Sequence, residues 1–180
     1  MLEFNSKRLT KEGNFLIGAK KMKLQIMNYD GRKNVAVNVS AIVGHGGQNR
    51  KDDVMLIQGL FKYIAIGLSP NSLGLGGEYQ VPDITGDMDG ETSSAIVQFQ
   101  ITNAGKLLGK NGFADSRIHP ADYNNRHLHS GIGKRYMAIT YLHLMANDSS
   151  VMQGHFDYVQ GLAQLSPELA RYIDLAVINA

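Results

Sequence analysis

The side chains able to hold a proton, a metal or a ligand fall into three groups in this chain of 180 residues. The first is a late set of histidines: His119, His127, His129, His143 and His155, with His45 alone in an early Gly-rich turn. His127-x-His129 with His119 and Asp115 or Asp122 would make a nitrogen and oxygen ligand set for zinc. Two rings spaced H-x-H converge only on extended or loop backbone, and no H-E-x-x-H is present. The irregular spacing predicts no metal site, and no cofactor is implied. His143 falls in an apolar helical stretch, where a hydrogen-bonded core histidine is expected. The second group is a run of carboxylates, Glu78, Asp83, Asp87, Asp89 and Glu91. Glycoside cleavage needs one carboxyl raised by burial, which an exposed turn does not supply. A calcium loop needs ligands spread over about 12 positions with a closing Glu, and that spacing is absent. The chain has no Cys and no G-x-S-x-G, so it offers no thiol nucleophile, disulfide or serine elbow. No catalytic residue is assigned, and the expectation leans away from an enzyme.

The third group is the set with a binding role. Asn49, Arg50, Asp87 and Thr92 stand on turns that open helices. There, free backbone N–H groups, a side-chain amide and a guanidinium can receive carboxylates and amides. Two phrases carry these residues. G-H-G-G-Q-N-R-K-D-D-V-M-L-I-Q covers 44–58, and I-T-G-D-M-D-G-E-T-S-S-A-I-V-Q-F-Q covers 84–100. Each is a Gly-rich turn running into an amphipathic helix that ends in Gln.

The rest of the chain must position these turns. Short strands are expected at 15–17 and 23–27, and Val35, Val37 and Val39 alternate as a strand with one buried face. Asp30-Gly31 suits a tight hairpin turn. A small antiparallel unit therefore spans about 15–43. Asn49 is the expected cap of the first helix, which has Val54, Ile57, Phe61 and Ile64 at helical spacing and closes at Gly67. Residues 69–80 read as a mobile Gly-rich surface loop. Thr92 is expected to cap or open a second helix with Ala95, Ile96 and Phe99 inward. Gln58 and Gln100 are read as structural, tying their helices to neighbouring turns. The turns at 85–91 and 115–121 look like a pseudo-repeat, with Pro120 opening a short third helix. Asn147 stops a helix over 132–146, and Asp148-Ser149-Ser150 and Ser166-Pro167 start two more. The expected helices are 51–66, 91–103, 120–128, 132–146, 152–164 and 167–178.

The order of the phrases resembles the peptidoglycan-binding-like helical module. That module often reads G-G-x-N-R-x-x-D-V-x-x-V-Q, then D-G-x-x-G-x-x-T-x-x-A-I-x-x-F-Q. Matching positions are Gly46, Gly47, Asn49, Arg50, Asp53, Val54 and Gln58, then Gly86, Thr92, Ala95, Ile96, Phe99 and Gln100. D-S-R-I-H-P at 115–120 resembles the D-G-R-I-D-P turn that follows in some members. Thr85 stands where Asp is usual, Asp89-Gly90 where Gly-Pro is usual, and Ser116 where Gly is usual. The resemblance spans about 41–128. It implies a three-helix core, and with the C-terminal helices and the small N-terminal antiparallel β unit read from the residues outside it the chain is expected to be mainly α, of α+β class. The implied division is a β unit at 1–43, a module at 44–128 and a helical extension at 129–180 packed on it. The implied function is non-catalytic binding of the peptidoglycan stem peptide. Members also occur in bacterial secretion and antagonism systems. The alternative is a degenerate module acting on a protein partner, as an adaptor or toxin-immunity protein. A His-dependent metal hydrolase is the minority reading.

Composition sets the remaining limits. A hydrophobic fraction of 43% suffices for a core. A net charge of +2 is too mild to imply nucleic acid. No apolar run approaches the ~20 residues that span a bilayer, so no membrane partner is expected. The N-terminus lacks a positive-then-apolar leader pattern, which suggests the cytoplasm or export without a classical leader.

Overall fold

The computed structural model describes residues 23–29, 32–107, 115–121, 136–154 and 157–173, with side chains from Val35 onward. The chain is mainly helical, with a small antiparallel β unit before the helices. Strands β1 (Lys23–Tyr29) and β2 (Arg32–Asn38) pair antiparallel from Lys23 opposite Asn38 to Tyr29 opposite Arg32. The expected strand at 15–17 and the Asp30-Gly31 turn lie outside the described residues. Ala36, Val37 and Val39 are fully buried, so this end of the hairpin is sunk into the body.

Helix α1 (Lys51–Gly67) is the central element, buried almost without interruption from Asp52 to Phe61. Its apolar stripe is too wide for a surface helix, and the structure covers it on several sides. Helix α2 (Gly90–Thr102) lies on one side, with Val54, Ile57, Phe61, Ala95, Ile96 and Phe99 all at zero exposure in one core. The Phe61 and Phe99 rings meet at 5.8 Å. Helices α3 (Ala138–Met152), α4 (Tyr158–Leu165) and α5 (Pro167–Tyr172) cover the other sides. Gly161 of α4 lets the Tyr63 ring lie against the helix backbone: a Cβ there would stand 2.3 Å from the ring. Ser149 Oγ and Gln153 Nε2 both donate to the Tyr63 carbonyl near the end of α1.

Several expected boundaries are corrected. Asn49 does not cap α1. Its φ is +45°, Arg50 occupies the cap position without a side-chain bond, and the Asn49 amide binds Gly44 instead. Thr92 does not cap α2 either. Asp89 does, accepting from Thr92 N at 2.7 Å. The loop at 69–80 is only half open, because Pro70–Leu73 forms a 3-10 turn that buries Leu73 and Leu75. Helix α3 starts at Ala138, after Tyr136 and Met137, which are not helical, while 132–135 of the expected helix lie outside the described residues; it runs through Asn147 and Asp148-Ser149-Ser150, where a stop and a new start were expected. Those polar side chains serve tertiary contacts: Asn147 donates to His143, and Ser149 to Tyr63. The true start signal is Asp157, whose carboxylate accepts from Val159 N. Ser166 with Pro167 does open a helix, as its spacing predicts. Residues 119–121 are not helical, and 122–128 of the expected third helix lie outside the described residues.

Candidate functional site

Three polar turns gather around α1 and α2, and two glutamines organise two of them. Gln58 is fully buried. Its Oε1 accepts from Thr85 N at 2.9 Å and Gly86 N at 2.8 Å. Its Nε2 donates to the Asp87 carbonyl at 3.0 Å, to Thr92 Oγ1 at 2.9 Å and to Thr85 Oγ1 at 3.2 Å. A primary amide supplies two acceptor lone pairs and two donors, and this one uses both ends.

Gln100 repeats the pattern on the third turn. Its Oε1 accepts from Ser116 N at 2.9 Å, and its Nε2 donates to the Arg117 carbonyl at 2.7 Å and Asp115 Oδ1 at 2.8 Å. The two turns superpose in role, residue by residue. Thr85 Oγ1 accepts from Asp87 N as Asp115 Oδ1 accepts from Arg117 N. Gly86, at φ +81°, stands where Ser116 stands at φ +59°. The pseudo-repeat read from the sequence is thus physical: a buried Gln from one helix orders the turn beyond the next stretch of chain. Thr85 in place of Asp leaves the turn bond intact, because a hydroxyl accepts as a carboxylate does.

Ser116 keeps a left-handed backbone that L side chains adopt at a cost of about 1 kcal/mol or more. Ser116→Gly is expected to stabilise the protein by about 1 kcal/mol in urea titration, since its N–H bond to Gln100 survives. No gain, or a loss, would mean that the Ser side chain holds the turn.

The first turn, 42–50, closes the set. Asn49 Oδ1 accepts from Gly44 N at 2.7 Å, and its Nδ2 donates to Gly44 O at 3.1 Å. Strand β3 (Val43–Gly44) pairs antiparallel with β4 (Arg117–Ile118), His45 N donates to Ser116 O, and Arg117 Nε donates to His45 O at 2.7 Å. Turns one and three are therefore stitched edge to edge. Asp53 anchors the preceding chain: its carboxylate takes Ser40 N, Ser40 Oγ and Ala41 N at 2.7–2.9 Å. Burial pushes its carboxyl up, and the Ser40 bonds oppose that shift.

Turn two presses on the start of α1. A Cβ on Gly86 would stand 2.5 Å from Lys51 Cγ and 2.8 Å from Met55 Cγ, so the Lys51 stem lies across the glycine. Lys51 Nζ pairs with Glu168 of α5 at 2.8 Å. Glu168 raises the Lys51 ammonium above its ordinary value, with a smaller push from Asp87, and Lys51 lowers Glu168 in return.

The four sequence-predicted site residues are not equivalent in this frame. Asn49 and Arg50 open α1, and Asp87 and Thr92 belong to turn two, which Lys51 links to that helix start. Asp87 is exposed. Arg50 is one-third exposed, with its Nε 3.7 Å from Asp52. The Asn49 amide is engaged with Gly44, and Thr92 is fully buried with its hydroxyl on Gln58. Thr92 reaches no ligand unless the turn opens. The surface left for contact is Arg50, Lys51 and Asp87.

An open cleft of about 670 Å³ lies between the 78–80 loop and the start of α2. Glu78, Tyr79, Gln80, Asp89, Gly90, Glu91 and Ser94 line it, and none of the four predicted residues does. It is acidic and open to solvent. Glu78, Asp89 and Glu91 belong to the carboxylate run read from the sequence, and the fold of the 78–80 loop sets these three, without Asp83 and Asp87, around one cleft.

Of the histidines, His119 Nε2 lies 3.2 Å from Asp115 Oδ2 and His143 is a buried core residue, as read from the sequence. His127, His129, His155 and Asp122 lie outside the described residues. Among the described residues no group of three or more His, Asp or Glu is placed to hold a metal ion, and no helix is long and apolar enough to cross a membrane. No protein-family model, no curated protein and no solved structure matches this chain.

Proposed function

We propose that this chain is a non-catalytic cell-wall-binding module, receiving the peptidoglycan stem peptide at the junction of the α1 start and turn two. The observation that carries this reading is the paired Gln58 and Gln100 turns. They support a scaffold whose polar groups are consumed in holding turn backbones, leaving charged side chains at one helix start. Arg50 offers a fork for a stem-peptide carboxylate, and the free N–H groups of a 17-residue helix add dipole attraction. A module of this kind, without an assigned catalytic residue, fits a role in a bacterial secretion or antagonism system.

The second reading is a degenerate module that binds a protein, as an adaptor or immunity protein. It is favoured by the exposed apolar residues Val151 and Met152 at the end of α3, 78% and 71% accessible, in the part of the chain beyond the resemblance. The hydrolase reading rests on histidines outside the described residues and has no geometry behind it.

Sedimentation with purified peptidoglycan separates the two. On the first reading the wild type pellets, and Arg50→Ala pellets about tenfold less tightly, the value of one charge-assisted pair. Its stability should shift by less than about 0.5 kcal/mol, because the Val54 N to Arg50 O bond is backbone. If wild type and variant both stay in the supernatant, the wall-binding proposal is lost. The second reading then predicts a partner whose binding is abolished by Val151→Asp with Met152→Asp.

A further inference from the structure

We propose that the His143–Tyr158–Val37 relay is an acid-opened latch, which holds the N-terminal hairpin on the helices and releases it when His143 takes a proton. The relay joins three elements through one buried path. His143 of α3 is 2% exposed, and Tyr158, the first residue of α4, is 1% exposed. His143 Nδ1 lies 2.9 Å from Tyr158 Oη, and Tyr158 Oη accepts from Val37 N of β2 at 3.0 Å. Alternate N–H groups of an outer strand point away from its ladder and need another acceptor. For Val37 that acceptor is the Tyr158 phenol.

The protonation state follows from the partners. Asn147 Nδ2 faces His143 Nε2 at 3.1 Å, so Nε2 accepts and Nδ1 carries the proton that goes to Tyr158. The imidazole is neutral, and all its capacity is in use. A proton added to Nε2 takes the lone pair that holds Asn147 and sets N–H against N–H. It also puts a cation where no described ionisable group compensates it. Tyr158 faces it from α4 as a phenol, its ring edge-on with centroids 5.3 Å apart. Tyr63 of α1 lies behind Tyr158, at 6.5 Å. Asp157 precedes Tyr158, but its carboxylate is turned to Val159 N. Asp148, the nearest acid along α3, is exposed, and residues 35–38 of β2 carry no ionisable side chain. Burial alone pushes His143 down to about 4, from 6.5.

Relief of that charge requires water, and the buried Tyr158 ring packs directly against the imidazole. When Tyr158 withdraws, the Val37 N–H bond to its phenol breaks, and the body loses one of its holds on β2. The sign is fixed by the lowered value. The closed form is favoured above pH 6.5, and opening grows as pH falls from 6.5 toward 4, because the open form binds the extra proton. Between pH 7 and pH 5 those two values give roughly a 20-fold rise in opening.

Amide hydrogen exchange by NMR on the full chain tests this, with rates corrected for their intrinsic pH dependence. Protection of the Val37 amide should fall at least tenfold between pH 7 and pH 5, while Leu56 and Leu60 in α1 keep theirs. His143→Gln should flatten the Val37 response, and Tyr158→Phe should leave Val37 poorly protected at both pH values. Constant Val37 protection in the wild type overturns the latch. So does a fall shared by Leu56 and Leu60, which would be global unfolding, and so does an unchanged response in His143→Gln. The wild-type series stands alone if either variant fails to fold.

Discussion

Gln58→Ala is expected to cost about 3–5 kcal/mol of folding stability, from the loss of a fully satisfied buried amide. The side chain receives two turn N–H groups and donates to one carbonyl and two hydroxyls. Alanine leaves Gly86 N, Thr85 N and the Asp87 carbonyl without these partners, beside a cavity with the volume of the lost amide. Each such group costs about 1–3 kcal/mol when water cannot reach it, and Gly86 and Thr92 are buried. Gln58→Glu should also destabilise, because it keeps an acceptor but removes every donor and places a carboxylate at zero exposure. Gln100→Ala should cost less, since Asp115 is exposed and Ser116 only half-buried. Urea melts of the three variants test the order. A loss below 1 kcal/mol for Gln58→Ala would mean that the Thr85–Asp87 backbone holds itself, and the clamp account would fail.

Phe99→Ala is expected to lose about 3–5 kcal/mol, the usual range for deleting a buried aromatic side chain. The ring is fully buried and contacts Phe61 at 5.8 Å and Tyr141 at 6.3 Å, so it joins α2 to both α1 and α3. Tyr141 in turn stacks on Tyr136 at 5.9 Å. Phe99→Leu should recover roughly half of the loss, because it refills part of the volume without the ring contacts. Equilibrium denaturation followed by circular dichroism and by tyrosine fluorescence gives both values. A cost under 1 kcal/mol for the alanine variant would place Phe99 outside the core. A Tyr fluorescence change in Phe99→Ala before unfolding would report the loosened contact with Tyr141.

Local chemistry determined much of this protein from sequence alone. The period of Val54, Ile57, Phe61, Ala95, Ile96 and Phe99 marked the inward faces of α1 and α2, because burial of an apolar stripe is a property of the helix itself. The Ser166-Pro167 start was legible too, whereas Val35, Val37 and Val39 marked a strand but not a single buried face, because the body covers Ala36 and Asn38 as well. The structural role of Gln58 and Gln100 was also legible, since a buried amide must find polar partners, although Gln58 stands in the middle of α1 and not at a helix end. What the tertiary structure decided were the long-range partners of polar side chains. Asn49 has the residue type of a cap, yet Gly44 takes its amide and Arg50 takes the cap position. Asn147 and Ser149 have the types of a stop and a start, yet His143 and Tyr63 claim them and α3 runs on. Thr92 looked available to a ligand until Gln58, 34 residues away, enclosed its hydroxyl. Short polar side chains bond equally well to their own turn or to a distant group, and only the packed fold selects between the two.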